Sequence, residues 1–410
     1  MNAVSATAEP NATPFWRELG SEELNRIMKV ALAQNLDLEA ALHRIAQARG
    51  QARVAGAPLY PAVEASGGAS RTIQDPRDTN AARAVGSISY EVDLWGKNRS
   101  SAAAANQRAR ATEFDRDALR LLVSSDTATF YSQLLSLNER IRIAENNLRN
   151  AEEVLRIIEA RYRAGSVSGL EVAQQRVAVN TLRSAVTALE EQRARTFNGL
   201  AILVGQAPQN FQAPNDTLRA LKVPVVELRP PATLLTARPD IESAEALLRA
   251  ADADIGAARA AFFPSFTLGV DSAIAAGFGG PAAAATSLAN SVLAPIFTGG
   301  RLRGNLETVT ARQKELAVQY RKTVLTAFQE VEDALAAVRS ADEQGDIVQQ
   351  TVRESQAAYD IAKARFDAGA IDYLTLLETQ RSLFQAQDDQ LANYAAQLQA
   401  FIELRKALGG

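Results

Sequence analysis

The side chains able to do covalent or metal chemistry are scarce in this sequence. It contains no cysteine, which removes thiol nucleophiles, thiolate metal sites and disulfides together. The single histidine, His43, falls in a predicted helix, where it reads as a surface or partly buried side chain rather than a catalytic one. With two methionines besides, no relay of soft metal ligands can be assembled, and neither a metal site nor a cofactor is expected. The glycine clusters at 277–280 and 299–300 lack the lysine of a phosphate-binding loop. The chain is therefore not expected to be an enzyme. Charge placed at helical and strand spacing is the chemistry that remains. An arginine–aromatic pair followed by glycine occurs twice, as Arg161-Tyr162 before Gly165 in "ARYRAGSVSGLEVAQQR" and as Arg365-Phe366 before Gly369 in "ARFDAGAIDYLTLLETQR". Just beyond the second glycine, Leu374 and Glu378 are four apart and share one helix face.

The elements that must position these residues are repeated. Gly165 and Gly369 are 204 positions apart by their numbers. Pro61 in "PLYPAVEASG" and Pro264 in "AFFPSFTLGV", and Asp37 and Asp240, each recur at 203. Two copies of one unit are read at 21–204 and 234–408, after an N-terminal extended segment at 1–20. Between them, 205–233 is proline-rich and reads as a linker of turns and extended pieces.

In the first copy no residue from Asn98 to Ala164 breaks a helix. Phe130, Leu134, Leu137, Ile141, Ala144, Leu148, Ala151, Leu155, Ile158 and Tyr162 alternate gaps of four and three, the seam of a left-handed coiled coil. A helix of this length reaches about 100 Å at ~1.5 Å per residue. The spacing predicts long helices at 98–164 and 300–368 and return helices at 166–204 and 370–408. Glycine supplies the left-handed turn between each pair, and Arg161 and Arg365 suit the negative end of the helix dipole.

Residues 58–97 and 262–298 follow a different period. Ile88, Tyr90, Val92 and Leu94 alternate with Ser87, Ser89, Glu91 and Asp93, and Phe266, Leu268 and Val270 alternate with polar residues. Hairpins are predicted at about 59–72 with 85–95 and about 263–275 with 287–297. Such strands could form a soluble sheet over a core or a membrane barrel, apolar toward lipid and polar toward a lumen. Tyr60, Trp95, Phe262, Phe263 and Phe297 cluster where strand meets helix, as an interfacial girdle does. That clustering favours the barrel. Four strands cannot close one, so spanning would require oligomerisation. No run of 18 apolar residues exists for a spanning helix, and no secretory h-region follows Met1, so an exported chain would have lost its leader. A net charge of −3 offers no field for nucleic acid.

The segments "YEVDLWGK", "RPDIESAE", "GAARAAFFPS", "PIFTGGRL", "TAFQEVEDAL", "RFDAGAIDYLTLLETQRSLFQAQ" and "KALGG" resemble, in order, the outer-membrane factors of tripartite efflux pumps of the TolC and OprM type. The resemblance runs from about Phe15 to the end. It implies a mainly α protein with a membrane β-barrel: a homotrimer with twelve strands in the outer membrane of a Gram-negative bacterium, a long α-helical barrel in the periplasm, and an equatorial belt. It implies two partners, a periplasmic adaptor protein and an inner-membrane transporter of the resistance-nodulation-division type. Adaptor contact would fall on the tips, at Arg161, Ala164, Gly165, Ser166, Arg365, Ala368, Gly369 and Ala370. Leu374 and Glu378 would constrict the periplasmic end, with Asp372 and Arg381 as salt-bridge partners holding it closed. Relatives more often have aspartate where Glu378 stands, and many carry a lipidated N-terminal cysteine that this sequence lacks. Glu64, Glu91, Asp93 and Asp271 would make the barrel lumen acidic. A soluble coiled-coil scaffold and the outer-membrane channel of a type I secretion system are the alternatives.

Overall fold

A computed structural model describes residues 14–73, 79–224, 237–277 and 281–410. The parts of the expected N-terminal segment, hairpin connectors and linker at 1–13, 74–78, 225–236 and 278–280 lie outside the described residues. The chain separates into two compact units, one of residues up to 39, 117–238 and 326–410, the other of 40–116 and 239–325.

The element order repeats. Short helices α1 (Phe15–Glu18) and α2 (Glu22–Gln34) lead to α3 (Leu36–Gly56), strands β1 (Ala62–Thr72) and β2 (Thr79–Val92), the 67-residue α4 (Lys97–Arg163) and the 35-residue α5 (Gly169–Leu203). The second series is α6 (Pro239–Ala260), β3 (Ser265–Gly277), β4 (Ala283–Leu293), α7 (Arg301–Asp367) and α8 (Tyr373–Ala407). The helices α7 and α8 again have 67 and 35 residues.

In the unit that holds the strands, all four form one antiparallel sheet in the order β1-β2-β3-β4. The two expected hairpins are therefore paired with each other, through β2 and β3. Strands β2 and β4 begin earlier than the alternation indicates, at Thr79 and Ala283. Their first residues, "TNAARA" and "AAATS", read as connectors because alanine carries no face signal, yet backbone pairing to β1 and β3 extends them. At the other end β4 stops at Leu293, so Phe297 lies past the strand.

Besides a small cluster of Leu137, Ile141 and Leu189, the described part of the helical unit is built around two cores. One gathers Phe15, Leu24, Met28, Tyr131, Leu135, Leu200 and Phe401. Ser21 caps α2 by accepting from the Leu24 N–H at 2.9 Å. The described part of the linker is strapped onto this core. The Asn215 and Asp216 N–H groups donate to Glu23, Leu218 and Leu221 are buried, and the Tyr394 hydroxyl donates to the Leu221 carbonyl. Within the segment expected to be extended, Phe15–Glu18 is a helical turn, because burying Phe15 and Leu19 in this core draws it into one. The other core lies at the helix tips, where Val154 and Ile158 of α4 meet Val172 of α5, Tyr359 and Phe366 of α7, and Tyr373 and Leu376 of α8. Of the coiled-coil seam on α4, Leu134, Leu137, Ile141, Ala151 and Ile158 are buried, while Tyr162 at its end is 51 % exposed.

Candidate functional site

Each long helix ends in the same backbone device. The Ser166 N–H donates to the Arg161 carbonyl and the Gly165 N–H to that of Tyr162, at 2.9 and 3.0 Å. The Ala370 and Gly369 N–H groups bond the Arg365 and Phe366 carbonyls at 2.8 and 3.0 Å. These are paired Schellman closures, and they need a left-handed residue at the turn; Gly165 and Gly369 supply it at φ +75° and +72°. Ala164, Gly165, Ser166, Ala368, Gly369 and Ala370 are all exposed. The arginines are not equivalent. Arg365 is exposed, whereas the Arg161 guanidinium lies over the Phe366 ring, 4.4 Å from its centroid, tying one tip to the other.

The return helices start on caps of opposite composition. Ser168 caps α5 with its hydroxyl accepting from the Leu170 N–H, and the Glu171 carboxylate reaches back to the Ser168 N–H at 2.9 Å. On α8 the carboxylate is the cap: Asp372 accepts from the Thr375 N–H and hydroxyl, at 2.8 and 2.7 Å. Both carboxyls are held below their ordinary values, Glu171 by the Ser168 hydroxyl first and Asp372 by the Thr375 hydroxyl first. The expected salt bridges of Asp372 and Arg381 are absent among the described residues. Asp372 is committed to its cap. Arg381 instead lines a groove of about 560 Å³, whose wall includes the bidentate Arg140–Asp388 pair at 2.7 and 2.8 Å.

Leu374 and Glu378 stand together on the exposed face of α8, and Tyr373, Leu376, Leu377 and Gln380 fill its buried face. A leucine and a carboxylate on one outward face can narrow a passage and attract cations, but only when copies surround a common axis. The helix behind them is fixed by a contact that sequence reasoning did not find. Gln175 is fully buried; its amide donates to the Ala151 carbonyl at 2.6 Å and accepts from the Tyr373 hydroxyl. No spacing rule links positions 175 and 373. Burial pushes the Tyr373 phenol above its ordinary range, so it stays a donor.

In the other unit, register sorts the strand residues onto two faces. Val63, Ile88, Val270 and Leu288 form one row across the sheet, joined on the same face by Tyr90, Phe266, Leu268 and Val292. The opposite face carries the row Glu64–Ser87–Asp271–Ser287. Glu64 and Asp271 are thus two strands apart, roughly 10 Å. Glu91 shares this face but pairs with Lys97 at 2.6 Å. Asp93, expected in the lumen, is not in the strand. It lies just past Val92 and caps α4, accepting from the Asn98 and Arg99 N–H groups at 3.1 and 2.8 Å. Burial alone would push its carboxyl up; those N–H groups and the Arg99 guanidinium outweigh it and hold it low. Tyr60, Trp95, Phe262, Phe263 and Phe297 are exposed at the strand–helix junctions. Trp95 stacks on Phe263 at 4.8 Å and donates to the Pro264 carbonyl at 2.8 Å.

The model of the outer membrane efflux protein family matches the chain twice, over residues 27–206 and 231–410. The pyoverdine export outer membrane protein OpmQ of Pseudomonas aeruginosa is 40% identical, with 97% of this chain and 87% of that protein covered. The cation efflux system protein CusC of Escherichia coli is 32% identical over all of this chain and 91% of its own length. A crystal structure of CusC superposes with a TM-score of 0.88 at 29% identity, covering 98% of this chain and 96% of that one. The outer membrane channel CmeC of Campylobacter jejuni gives 0.87 at 26% identity, covering 99% and 90%.

Proposed function

Because this chain belongs to the outer membrane efflux protein family, we propose that it is a passive, gated exit duct rather than an enzyme. Three copies place twelve strands in the outer membrane and their helices in the periplasm. An adaptor docks on the exposed tips, and an inner-membrane transporter of the resistance-nodulation-division type supplies the energy. The observation that carries this reading is the sheet. One face is largely apolar, the other polar with Glu64, Glu91 and Asp271 against Arg83, and among the described residues β1 and β4 leave open edges. Such edges are not tolerated in lipid unless further copies pair with them. The apolar row then meets lipid, with the junction aromatics at the interface, and Glu64, Asp271 and Glu91 line the lumen. Leu374 and Glu378 on α8 form the gate, three carboxylates about one axis that pass cations reluctantly.

Planar-bilayer conductance of the purified protein in potassium chloride, beside Glu378→Ala, tests this. Small cation-selective currents are expected, rising several-fold with loss of selectivity in the variant. Currents unchanged by the substitution would move the gate off this face. A protein that stays in solution without detergent and conducts nothing would end the duct reading.

A further inference from the structure

The strand-bearing unit holds a second concentration of charge, opposite in sign to the lumen and, apart from Lys97 on Glu91 and Arg99 on Asp93, used by nothing above. The stretches 40–63, 94–112, 255–270 and 294–306 flank the four strand–helix junctions; each contains arginine or lysine, and none contains Asp or Glu. In one place this basic collar is shaped into a groove of about 790 Å³, between the end of α3 and the first turns of α4. Arg49, Arg53 and Arg110 line it against a single carboxylate, Glu113. That carboxylate is already engaged, since Arg49 donates to it through Nε and Nη2 at 2.9 and 2.6 Å. Arg110 is held over the Phe114 ring at 5.4 Å, and neither it nor Arg53 has a carboxylate partner among the described residues. Leu59 and the 73 % exposed Tyr60 form the rim, three residues before Val63 opens the apolar row of the sheet.

We propose that this groove binds the headgroup phosphate of an anionic phospholipid in the leaflet from which the helices emerge. Two guanidiniums without counter-charges suit a phosphate, which takes planar, bidentate donors. An exposed tyrosine and leucine beside them suit the boundary of headgroup and acyl chain. The inference rests on the reading that the sheet spans the membrane.

Delipidated protein in detergent, titrated with phosphatidylglycerol or phosphatidylethanolamine and read by native mass spectrometry, tests it. Phosphatidylglycerol should bind at least about tenfold more tightly, and Arg53→Gln/Arg110→Gln should remove about that preference. Arg53→Lys/Arg110→Lys should restore part of it, while Arg301→Gln/Arg303→Gln, in the collar but outside the groove, should leave it intact. Equal binding of the two lipids by wild-type protein that stays dissolved only in detergent overturns the groove and leaves the spanning reading standing. An equal loss in the 301/303 variant overturns the groove in favour of diffuse attraction. Displacement of the lipid by millimolar inorganic phosphate makes it a free-anion site and overturns the lipid. Wild-type protein that dissolves without detergent overturns the spanning reading and the groove with it.

Discussion

The two tips are copies of one motif at an offset of 204, and they have divided its tasks. In both, a glycine in the left-handed region closes the long helix with the same pair of backbone bonds. In the first tip the aromatic of the motif, Tyr162, is half exposed beside Gly169; in the second, Phe366 is 5 % exposed and meets Tyr373 edge to face at 6.2 Å. Position 169 is glycine and its counterpart 373 is tyrosine, so the second tip has the bulk to fill a core that both share. The outward face differs as well. Leu170 and Gln174 stand where Leu374 and Glu378 stand in the second copy, so the leucine is duplicated and the charge is not. Backbone closure is thus common to the copies, while the buried aromatic pair and the outward carboxylate belong to the second.

The comparison is broken most directly at the aromatics. Phe366→Ala removes a buried ring from the tip core and, with it, the surface on which Arg161 rests. It should lower the local opening free energy by about 3–5 kcal/mol, and Tyr162→Ala by less than about 1. Hydrogen exchange through residues 355–385 and 150–180 reads both. Equal losses would mean that the copies share the packing task after all.

The glycines sharpen the opposite half of the comparison. An added Cβ meets nothing within 4 Å at Gly165 or Gly369, so each pays only for its backbone conformation. Gly165→Ala and Gly369→Ala should therefore cost about the same, ~1–2 kcal/mol each, in exchange at the turn amides. A cost several times larger at either tip would reveal a constraint beyond the turn.

These turns were legible in sequence because glycine at a helix end has a conformational reason independent of the rest of the chain. The shared face of Leu374 and Glu378 was legible by spacing for the same reason. Asp93 was misplaced because strict alternation runs through Leu94, although the strand ends at Val92 and Gly96, at φ +76°, turns the chain into α4. The alanine-rich starts of β2 and β4 gave no periodic signal, and only partner strands define them. Gln175 with Tyr373, and Arg161 with Phe366, are contacts between copies about 200 residues apart, which no local pattern encodes.

The smallest expected difference lies in the caps, and it is one of pH. Hydroxyl and carboxylate have exchanged places: Ser168 with Glu171 in one copy, Asp372 with Thr375 in the other. Both carboxyls are lowered in the folded chain, from ordinary values of 4.5 for Glu171 and 3.8 for Asp372. A depressed carboxyl stabilises fully above its unfolded value, and that contribution fades as pH falls through the folded one. The loss therefore sets in below about pH 4.5 at the first tip and below about pH 3.8 at the second. Glu171→Gln and Asp372→Asn keep the capping geometry, since glutamine and asparagine serve at those positions, but remove the titration. Hydrogen exchange at each tip, corrected for the intrinsic pH dependence, should show wild type and variant converging on acidification, the 171 pair beginning at the higher pH. If the 372 pair converges first, the Thr375 hydroxyl is not what holds Asp372 low, and the two caps are not the exchanged equivalents that their residues suggest.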